Sequence, residues 1–296
     1  MDIQHIRYFL AVAKHQSFSK AAETLFVTQP ILTRCIKNLE KELGVQLIQR
    51  STKHFALTEA GQLLQRNGTT LLQQHQDIYR QMADLASGQM GELRISGPGV
   101  LLDMYFPALV AQYRKSNPGI RITIRESGTR TVVQEVLDGS ADIGLVMLPL
   151  SESTDLEIFP IVKDQIHVVL HRKHPLAQAS SIHIRQLENQ DIITYNQSTT
   201  LYHTLDKLCK EQGFTPTIAC QSMMPGFILD TISCGDWVGV FPAPMLQKSP
   251  RPELVGIPLE PQLPWQIAMI TKKGRYVSNA ANSFLNFSRE FLSQLA

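Results

Sequence analysis

The 296-residue sequence predicts an α/β protein in which a helix-turn-helix and a long helix precede two α/β lobes. Three observations predict this fold class. Two short helical patterns joined by a three-residue connection occupy residues 17–43. Leucine or isoleucine recurs every seven residues through 58–87. From residue 92 onward, apolar strand segments alternate with helical segments.

The N-terminal segment predicts three helices around a small core. Residues 3–14 place apolar side chains on one side of a first helix. A second helix covers residues 17–25, with Ser19 as its predicted N-cap. The third runs from residue 29 to about 43, and its apolar residues recur at helical spacing. These buried positions are Leu32, Ile36, Leu39 and Leu43.

The opposite face of the third helix is polar and basic, as a DNA-reading helix requires. Its side chains are Gln29, Thr33, Arg34, Lys37 and Lys41. Two helices joined by a short turn, the second polar outward, are typical of a helix-turn-helix. Residues 1–57 carry 8 Lys and Arg against 4 Asp and Glu, whereas the remaining residues carry 20 against 22. The basic surplus lies with this motif, and we expect it to bind double-stranded promoter DNA.

Residues 45–57 predict a two-stranded wing, because two short apolar runs flank a polar, basic tip. Such a tip lies over a groove or the sugar-phosphate backbone, so its side chains are candidate DNA contacts. They are Arg50, Ser51, Thr52 and Lys53. Thr28, as N-cap of the third helix, would direct the helix amides toward a phosphate.

Residues 58–87 predict a long helix with an apolar residue at every seventh position. These positions are Leu64, Leu71, Ile78 and Leu85. A seven-residue repeat is typical of helices that pair between subunits, although a helix lying on its own domain would also carry an apolar stripe. Since operators are usually pseudo-palindromic, a dimer would place two recognition helices in successive major grooves. Residues 88–91 predict a hinge after this helix.

Residues 92–296 predict the two lobes. The first series has strands at 93–96, 120–125 and 143–146 and helices at 101–115 and 129–137. A second series begins near residue 166, and a strand at 265–270 and a helix at 277–295 end the chain. This alternation implies a mainly parallel sheet with helices on both faces and a cleft between the lobes. We assign lobe I to about 92–162 and 267–296, and lobe II to about 163–266.

Composition and motif spacing argue against several other functions. No Ser/His/Asp, metal or nucleotide motif stands at characteristic spacing, so we expect no enzyme, cofactor or metal. The N-terminus lacks a signal-peptide pattern and no stretch is long enough to cross a bilayer, which predicts a cytoplasmic protein without a membrane partner. Two alternatives remain open. One is a redox sensor using Cys209, Cys220 and Cys234, and the other is a solute-binding receptor or enzyme whose N-terminal module only dimerises.

The sequence resembles the LysR-type transcriptional regulators across almost its whole length. In the first 61 residues the resemblance is carried by Phe18-Ser19-Lys20-Ala21-Ala22, Thr28-Gln29-Pro30-Ile31-Leu32-Thr33-Arg34, Leu43-Gly44, Arg50 and Leu57-Thr58-Glu59-Ala60-Gly61. Further along it includes Asn117-Pro118, Ala141-Asp142-Ile143-Gly144, His174-Pro175-Leu176 and Gly235-Asp236-Trp237-Val238-Gly239-Val240-Phe241-Pro242.

The resemblance implies a winged helix-turn-helix in 1–57, a dimerising linker helix in 58–87, and an effector domain similar to a periplasmic solute-binding protein in 92–296. Family members are typically tetramers that regulate promoters and contact RNA polymerase, which implies a homodimer and a homotetramer here. The family's DNA-contacting positions correspond to Gln29, Pro30, Thr33, Arg34 and Arg50. We add Ser19 and Lys20, at the start of the second helix, to the DNA-binding candidates.

The effector site is predicted in loops that join strands to helices, where free amides can hold an anion. The candidates are Ser96, Gly97, Pro98, Gly99 and Val100 in one loop, Thr129 in a second, and Asn196, Gln197, Ser198 and Thr199 in a third. Thr129 matches a ligand position of the family, whereas many relatives carry a hydroxyl residue where Val100 stands. Ordinary turns and N-caps explain each of these residues equally well. We expect a small polar or anionic metabolite.

Overall fold

The computed structural model describes residues 1–49, 55–87, 91–150 and 155–293. Its backbone falls into two compact units, Met1–Ala86 and Ser87–Ala296. None of the described helices combines the length and the apolar character needed to cross a lipid bilayer.

The described helices of the first unit match the helical segments predicted from the sequence. They are α1 (Ile3–His15), α2 (Phe18–Leu25), α3 (Gln29–Leu43) and α4 (Glu59–Ser87). The first three pack around one apolar core, in which Phe9, Leu32 and Leu39 are fully buried. The helix-turn-helix predicted for residues 17–43 is confirmed.

The start of α2 differs from the prediction. Ser17, rather than Ser19, is the N-cap, because its backbone is extended and its side chain accepts a hydrogen bond from Lys20 N at 3.3 Å. Ser19 lies within the first turn and is exposed. Serine is a favourable N-cap at either position, so the sequence does not distinguish the two, whereas the backbone conformation and the hydrogen bond of Ser17 do.

The apolar stripe of α3 is shorter than predicted. Leu32, Ile36 and Leu39 are at most 3% exposed, whereas Leu43 is 38% exposed. Gly44 ends the helix in the left-handed conformation, with φ of +70°. The last turn of α3 extends past the core into solvent, so the prediction that Leu43 is buried was wrong.

The described part of the predicted wing forms a short antiparallel pair between Ile48 and Leu57. The carboxylate of Glu40, on α3, is nearly buried and accepts hydrogen bonds from Leu47 N at 2.9 Å and Ile48 N at 3.3 Å. A carboxylate receives backbone N–H groups strongly because the acceptor is charged. Glu40 therefore fixes the first strand of the wing to α3.

The first half of α4 packs on the helical core of the first unit. The Thr58 hydroxyl accepts a hydrogen bond from Gly61 N at 3.0 Å, so Thr58 caps the helix that begins one residue later. A Cβ at Gly61 would lie 2.1 Å from Leu47 O, which only glycine avoids. Leu64 packs against the core, and Gly68 lies against side chains of α1.

The second half of α4 presents apolar side chains to solvent. Leu71 is 39% exposed, Ile78 is 56% exposed and Met82 is 55% exposed. These three residues lie on one side of the helix, and we call them the α4 stripe. The side chain of Leu85 lies outside the described residues, as do hinge residues 88–90.

The second unit contains the predicted alternation of strands and helices. Its first half comprises β1 (Gly91–Gly97), α5 (Gly99–Ser116), β2 (Ile120–Glu126), α6 (Thr129–Leu137), β3 (Ile143–Leu148) and β4 (Leu156–His171). Its second half comprises β5 (Ile182–His183), β6 (Ile192–Thr194), α7 (Thr200–Glu211), β7 (Ile218–Gln221), α8 (Pro225–Cys234), β8 (Val238–Pro242), α9 (Ala243–Lys248), β9 (Leu254–Glu260), β10 (Pro264–Lys272) and α10 (Asn279–Ser293). Pro175–Gln178 and Ile184–Leu187 form short 3-10 helices.

One sheet path runs through this unit in the order β2-β1-β3-β10-β4-β8-β6-β7, and β9 pairs with β4 and β5. β1 is parallel to β2 and β3, and β6 is parallel to β7 and β8, whereas β10 is antiparallel to β3 and β4. The first part of β4 pairs with β10 in lobe I, and its last residues pair with β8 and β9 in lobe II. The two-lobed α/β architecture is confirmed.

Candidate DNA-binding surface and effector pocket

Six side chains of α3 line one shallow, open surface, which we call the α3 face. They are Gln29, Pro30, Thr33, Arg34, Lys37 and Asn38. The first five are predicted from the sequence as DNA contacts. Asn38 lies one helical turn after Arg34 and was missed, although its spacing alone would have placed it on the same side. Lys41 is exposed but does not line this surface.

The cations of the α3 face are available to an external partner. Arg34 and Lys37 are exposed, and neither forms an ion pair with any of the described residues. A cation without an internal partner can neutralise a phosphate and release its counterions. Gln29 and Thr33 lie in the first two turns of the helix and carry groups that can read base edges.

The start of α2 adjoins the α3 face. Ser19 Oγ donates a hydrogen bond to Gln29 Oε1 at 3.2 Å, which connects the first turns of the two helices. Lys20, beside Ser19, is exposed. Thr28 occupies the N-cap position of α3, but its side chain makes no capping hydrogen bond. The predicted candidates Ser19, Lys20, Thr28 and Gln29 therefore lie on adjoining segments.

The wing tip is the other segment predicted to contact DNA. Its four predicted contacts lie outside the described residues; they are Arg50, Ser51, Thr52 and Lys53. Their role stays a prediction.

In the second unit, a pocket lies between lobes I and II where three helices begin. We call it the cleft pocket. Its empty space, counted together with the adjoining solvent at its mouth, is about 470 Å³, so it can hold only a small molecule. α5 and α6 begin there from lobe I, and α7 begins there from lobe II. Its lining consists of Pro98, Val100, Leu101, Gly128, Thr129, Met147, Tyr195, Ser198, Thr199, Thr200, Leu201, Met223 and Trp265.

Half of the predicted effector residues line the cleft pocket. Those that do are Pro98, Val100, Thr129, Ser198 and Thr199. Those that do not are Ser96, Gly97, Gly99, Asn196 and Gln197. Asn196 Oδ1 accepts hydrogen bonds from Ser198 N at 3.1 Å and Ser198 Oγ at 2.6 Å, so it closes a turn.

Ser96 belongs to a network beneath the cleft rather than to its lining. It is fully buried, and its Oγ donates to Glu135 Oε2 at 2.5 Å. Arg125 donates to the other carboxylate oxygen at 2.9 Å. Burial alone would raise the pKa of Glu135, but hydrogen bonds from Ser96, Arg125 and Ser127 outweigh it and lower that pKa. Ser96 therefore ties β1 to α6.

Eight lining residues are not among the ten named effector candidates, although two of them, Gly128 and Thr200, belong to the predicted loops 127–129 and 196–200. Four directly adjoin predicted loop residues or the helix starts; they are Leu101, Gly128, Thr200 and Leu201. Met147 and Trp265 lie in β3 and β10, and no sequence pattern connects these strands with the loops. Only the sheet brings them to the cleft.

The aromatic side chains of the cleft pocket use their polar atoms inside the protein. Trp265 Nε1 donates to Tyr105 Oη at 3.0 Å, and Tyr195 Oη donates to Met245 Sδ at 3.4 Å. Burial raises the pKa of both Tyr105 and Tyr195 far above the ordinary tyrosine value, so both phenols are neutral. The two rings that reach the pocket, Trp265 and Tyr195, therefore present mainly carbon.

The cysteines considered for redox sensing are free thiols. Cys209 is fully buried in α7, and burial raises the pKa of its thiol to about 12. Because the thiolate is the reactive form, Cys209 is a poor nucleophile. Cys234 is exposed and Cys220 is partly buried. Among the described residues, no three His, Cys, Asp or Glu side chains are placed to hold a metal ion.

Two family models together cover most of the chain. The model described as a bacterial regulatory helix-turn-helix protein of the lysR family matches residues 3–62, and the LysR substrate binding domain matches residues 86–293. The chain belongs to the LysR family. It is 32% identical over 293 residues to the HTH-type transcriptional regulator YwbI of Bacillus subtilis, which covers 99% of this chain and 97% of that relative. It is 33% identical to AlsR of the same organism, over 79% of this chain and 78% of the relative.

Solved structures of LysR-type regulators share the fold. Full-length BenM is 25% identical, with a TM-score of 0.61, and the match covers 100% of this chain and 98% of that one. CbnR is 21% identical, with a TM-score of 0.64, over 98% of this chain and 99% of the other. The CbnR likeness concerns the fold alone.

This LysR-type regulator is a DNA-binding transcription factor with a substrate-binding domain. LysR-type regulators bind promoter DNA and effector ligands and oligomerise as dimers or tetramers. The function predicted from the sequence is confirmed at this level. The alternative of an enzyme with an N-terminal dimerisation module is wrong, because the family is not enzymatic.

Proposed function

We propose that the α3 face enters the major groove of promoter DNA. In this arrangement Gln29 and Thr33 contact base edges, and Arg34 contacts guanine or a phosphate. The observation that carries the proposal is that six side chains from successive turns of α3 share one exposed surface. The cations of this surface form no ion pair with the described residues. CbnR, which has the same fold, has been solved in complex with its target DNA.

Substitution of Arg34 tests this assignment. Operator DNA is first selected from a random library with the full-length protein, and its affinity is measured at fixed salt. Arg34→Ala should lower the affinity by about 10- to 100-fold, which corresponds to roughly 1–3 kcal/mol for a base or phosphate contact. Arg7→Ala, which removes an exposed arginine of α1 outside the α3 face, is the matched control.

The two arginine variants separate the possible outcomes. Circular dichroism must first establish that both are folded. A folded Arg34→Ala protein with unchanged affinity, or an equal loss in Arg7→Ala, would contradict the assignment of DNA reading to the α3 face.

We further infer that the α4 stripe forms a dimer contact. Leu71, Ile78 and Met82 expose apolar side chains at helical spacing, which is unfavourable for an isolated helix in water. Pairing with the same helix of a second copy would bury them and place two α3 faces on the two halves of a palindromic operator. Leu64 is already packed in its own unit, so we place the start of the contact at Leu71.

Leu71→Asp tests the dimer contact, because it places a charge in the proposed apolar interface. The mass from light scattering should fall to that of a smaller assembly. Leu63→Asp is the control, since Leu63 is 53% exposed on α4 but lies outside the stripe. An unaltered mass for Leu71→Asp would contradict the contact.

We propose that a small molecule in the cleft pocket controls regulation. The pocket is formed by both lobes, so a ligand that contacts both would favour one relative orientation of lobes I and II. It can shift that equilibrium only by its difference in affinity for the two orientations. We propose that the protein acts in this way in the cytoplasm, as a tetramer that contacts RNA polymerase, as is typical of the family.

A further inference from the structure

A further pocket lies in lobe I, at the end of the sheet away from the cleft pocket. Asp142 comes directly before β3, and Thr271 lies near the end of β10, which runs antiparallel to β3. The cleft pocket instead contacts the opposite ends of these two strands, at Met147 and Trp265. We call the further space the β10 pocket. Its polar lining includes Asp142, Thr271, Lys272, Arg275 and Ser278.

The β10 pocket contains a buried hydroxyl that lacks a partner. Thr271 is 2% exposed, and its Oγ1 makes no hydrogen bond to any group in the described ranges. A buried hydroxyl without a partner is unfavourable, and most such groups in folded proteins are hydrogen-bonded. Thr271 lines the pocket, so an oxygen atom of a molecule bound there would supply the missing partner.

The side chains around this hydroxyl favour a negatively charged ligand. Lys272 and Arg275 line the pocket and are partly buried. The carboxylate of Asp142 accepts hydrogen bonds from Arg94, from Nε at 3.1 Å and from Nη2 at 2.8 Å, so its charge is already compensated. Lys272 and Arg275 also interact with other groups of the chain. Because an ammonium has three N–H donors and a guanidinium has five, both can still donate to a ligand.

The start of α10 adds a third source of positive potential. Ser278 and Ala281 line the pocket, and Ser278 Oγ accepts a hydrogen bond from Ala281 N at 3.2 Å. The helix is 15 residues long, so its first-turn N–H groups lie at the positive end of a full helix dipole. A helix start by itself selects no ligand, but here it adjoins two cations and the unpartnered hydroxyl of Thr271.

We propose that the β10 pocket binds the phosphate group of a small molecule, either inorganic phosphate or a phosphate monoester. The donors come from the end of β10, from the loop after it and from the start of α10. The tetrahedral oxygens of a phosphate can accept from all three directions, whereas a carboxylate has two coplanar oxygens. The guanidinium of Arg275 also matches phosphate geometry. The empty space, counted with the adjoining solvent at its mouth, is about 280 Å³, which suits one such group.

A phosphate in this position would act within lobe I and without closure of the cleft. It would connect β10, α10 and the segment before β3. Arg94 ties that segment to β1 through Asp142, and a Cβ at Gly91 would lie 3.6 Å from the Cβ of Ala280 in α10. Gly91 begins β1 directly after hinge residues 88–90. The ligand would therefore stabilise the part of lobe I in which the chain enters it.

The ligand class is tested on the full-length protein with inorganic phosphate, methyl phosphate and acetate. Ionic strength is held constant with chloride, and calorimetric titration is combined with thermal unfolding. At least one phosphate compound should bind about tenfold or more tightly than acetate and raise the unfolding temperature by mass action. If both bind, the site accepts esters, and if only inorganic phosphate binds, the free ion is the ligand.

Thr271→Val separates a ligand-binding hydroxyl from a structural one. Valine has nearly the same volume and removes a group without a partner, so without phosphate the variant should unfold at the same or a higher temperature. Its affinity for phosphate should nevertheless fall by about tenfold, the size expected for one hydrogen bond to a charged group. A variant that is less stable without phosphate and binds it normally would overturn the proposal.

Two neighbouring lysines provide a matched pair of charge changes. Lys272→Gln, in the lining, should weaken phosphate by about tenfold. Lys273→Gln removes the same charge from an exposed residue outside the lining and should leave the affinity unchanged. Equal losses in both variants would mean that phosphate responds only to net charge, which would overturn the site.

Arg34→Ala distinguishes the β10 pocket from the α3 face, which also carries cations. Phosphate binding should be unchanged in this variant. Phosphate binding that disappears in Arg34→Ala, or no binding by the unsubstituted protein at about 10 mM, would overturn the β10 site. Operator binding through the α3 face and effector control through the cleft pocket would stand in either case, because neither uses residues of the β10 pocket.

Discussion

The α3 face and the cleft pocket use their polar side chains in opposite ways. On the α3 face, Arg34 and Lys37 are exposed and lack ion pairs within the described residues. Around the cleft, the polar atoms of Ser96, Ser198 and Trp265 are already bonded inside the protein. A surface that binds a polyanion needs cations without internal ion pairs, so that they can neutralise phosphates. A pocket for a small molecule needs rigid walls, and only a few of its polar groups remain available to select the ligand.

The largest change in stability is expected at Glu40, which lies on α3 but outside the α3 face. It fixes the first strand of the wing to α3. Glu40→Ala leaves Leu47 N and Ile48 N without their acceptor and should lower the free energy of unfolding by about 2–3 kcal/mol. Urea denaturation measures this loss. Lys37→Ala, on the α3 face, should leave stability within about 0.5 kcal/mol. If both variants are equally stable, the distinction between Glu40 as a structural residue and Lys37 as a DNA-contacting residue is wrong.

A smaller effect is expected at Ser96, which separates structural from ligand-binding roles at the cleft. Ser96→Ala removes a hydrogen bond to the Glu135 carboxylate and should cost about 1–2 kcal/mol. Because the pKa of Glu135 is lowered in the folded state, its contribution is present above the unfolded pKa and is lost as pH falls through the folded pKa. The variant should therefore raise the pKa of Glu135 and lose stability chiefly at neutral pH, with a smaller difference near pH 3.

Acid-unfolding curves of Ser96→Ala and the unsubstituted protein check this expectation. Binding of a ligand in the cleft pocket should be nearly unchanged in Ser96→Ala, in contrast to Thr129→Val, which removes a hydroxyl from the pocket lining. A ligand affinity that falls as far in Ser96→Ala as in Thr129→Val would place Ser96 in the binding site and remove the contrast between the two regions.

The smallest effect is expected at Phe26, in the turn between α2 and α3. Phe26 is 96% exposed and has φ of +54°, a left-handed conformation that costs a non-glycine residue about 1 kcal/mol. Phe26→Gly should raise the free energy of unfolding by up to about 1 kcal/mol. Gln16→Gly, at φ of +49° after α1, is the matched substitution and should give a similar gain. A loss of stability in Phe26→Gly would contradict the expectation, because the added conformational entropy of glycine in the unfolded chain would then outweigh the relief of backbone strain.

Sequence periodicity was sufficient for the α3 face because a single helix carries it. Once residues 29–43 are helical, the spacing of Thr33, Arg34 and Lys37 fixes which side chains share a surface. The same argument failed at two places where local geometry decides the result. Ser17 rather than Ser19 caps α2. Leu43 lies in the last turn of α3, beyond the core, and α3 ends at Gly44.

The cleft pocket required the tertiary structure. The sequence located the three helix starts, because strand-to-helix loops carry local signals in glycine, proline and hydroxyl residues. It could not identify Met147 or Trp265, which reach the pocket from strands far apart in the chain. Nor could it tell that Ser96 faces Glu135, since hydrogen-bond partners separated by 39 residues are set by packing. Periodicity determines which side of an element a residue occupies, and only the packed sheet determines what that side meets.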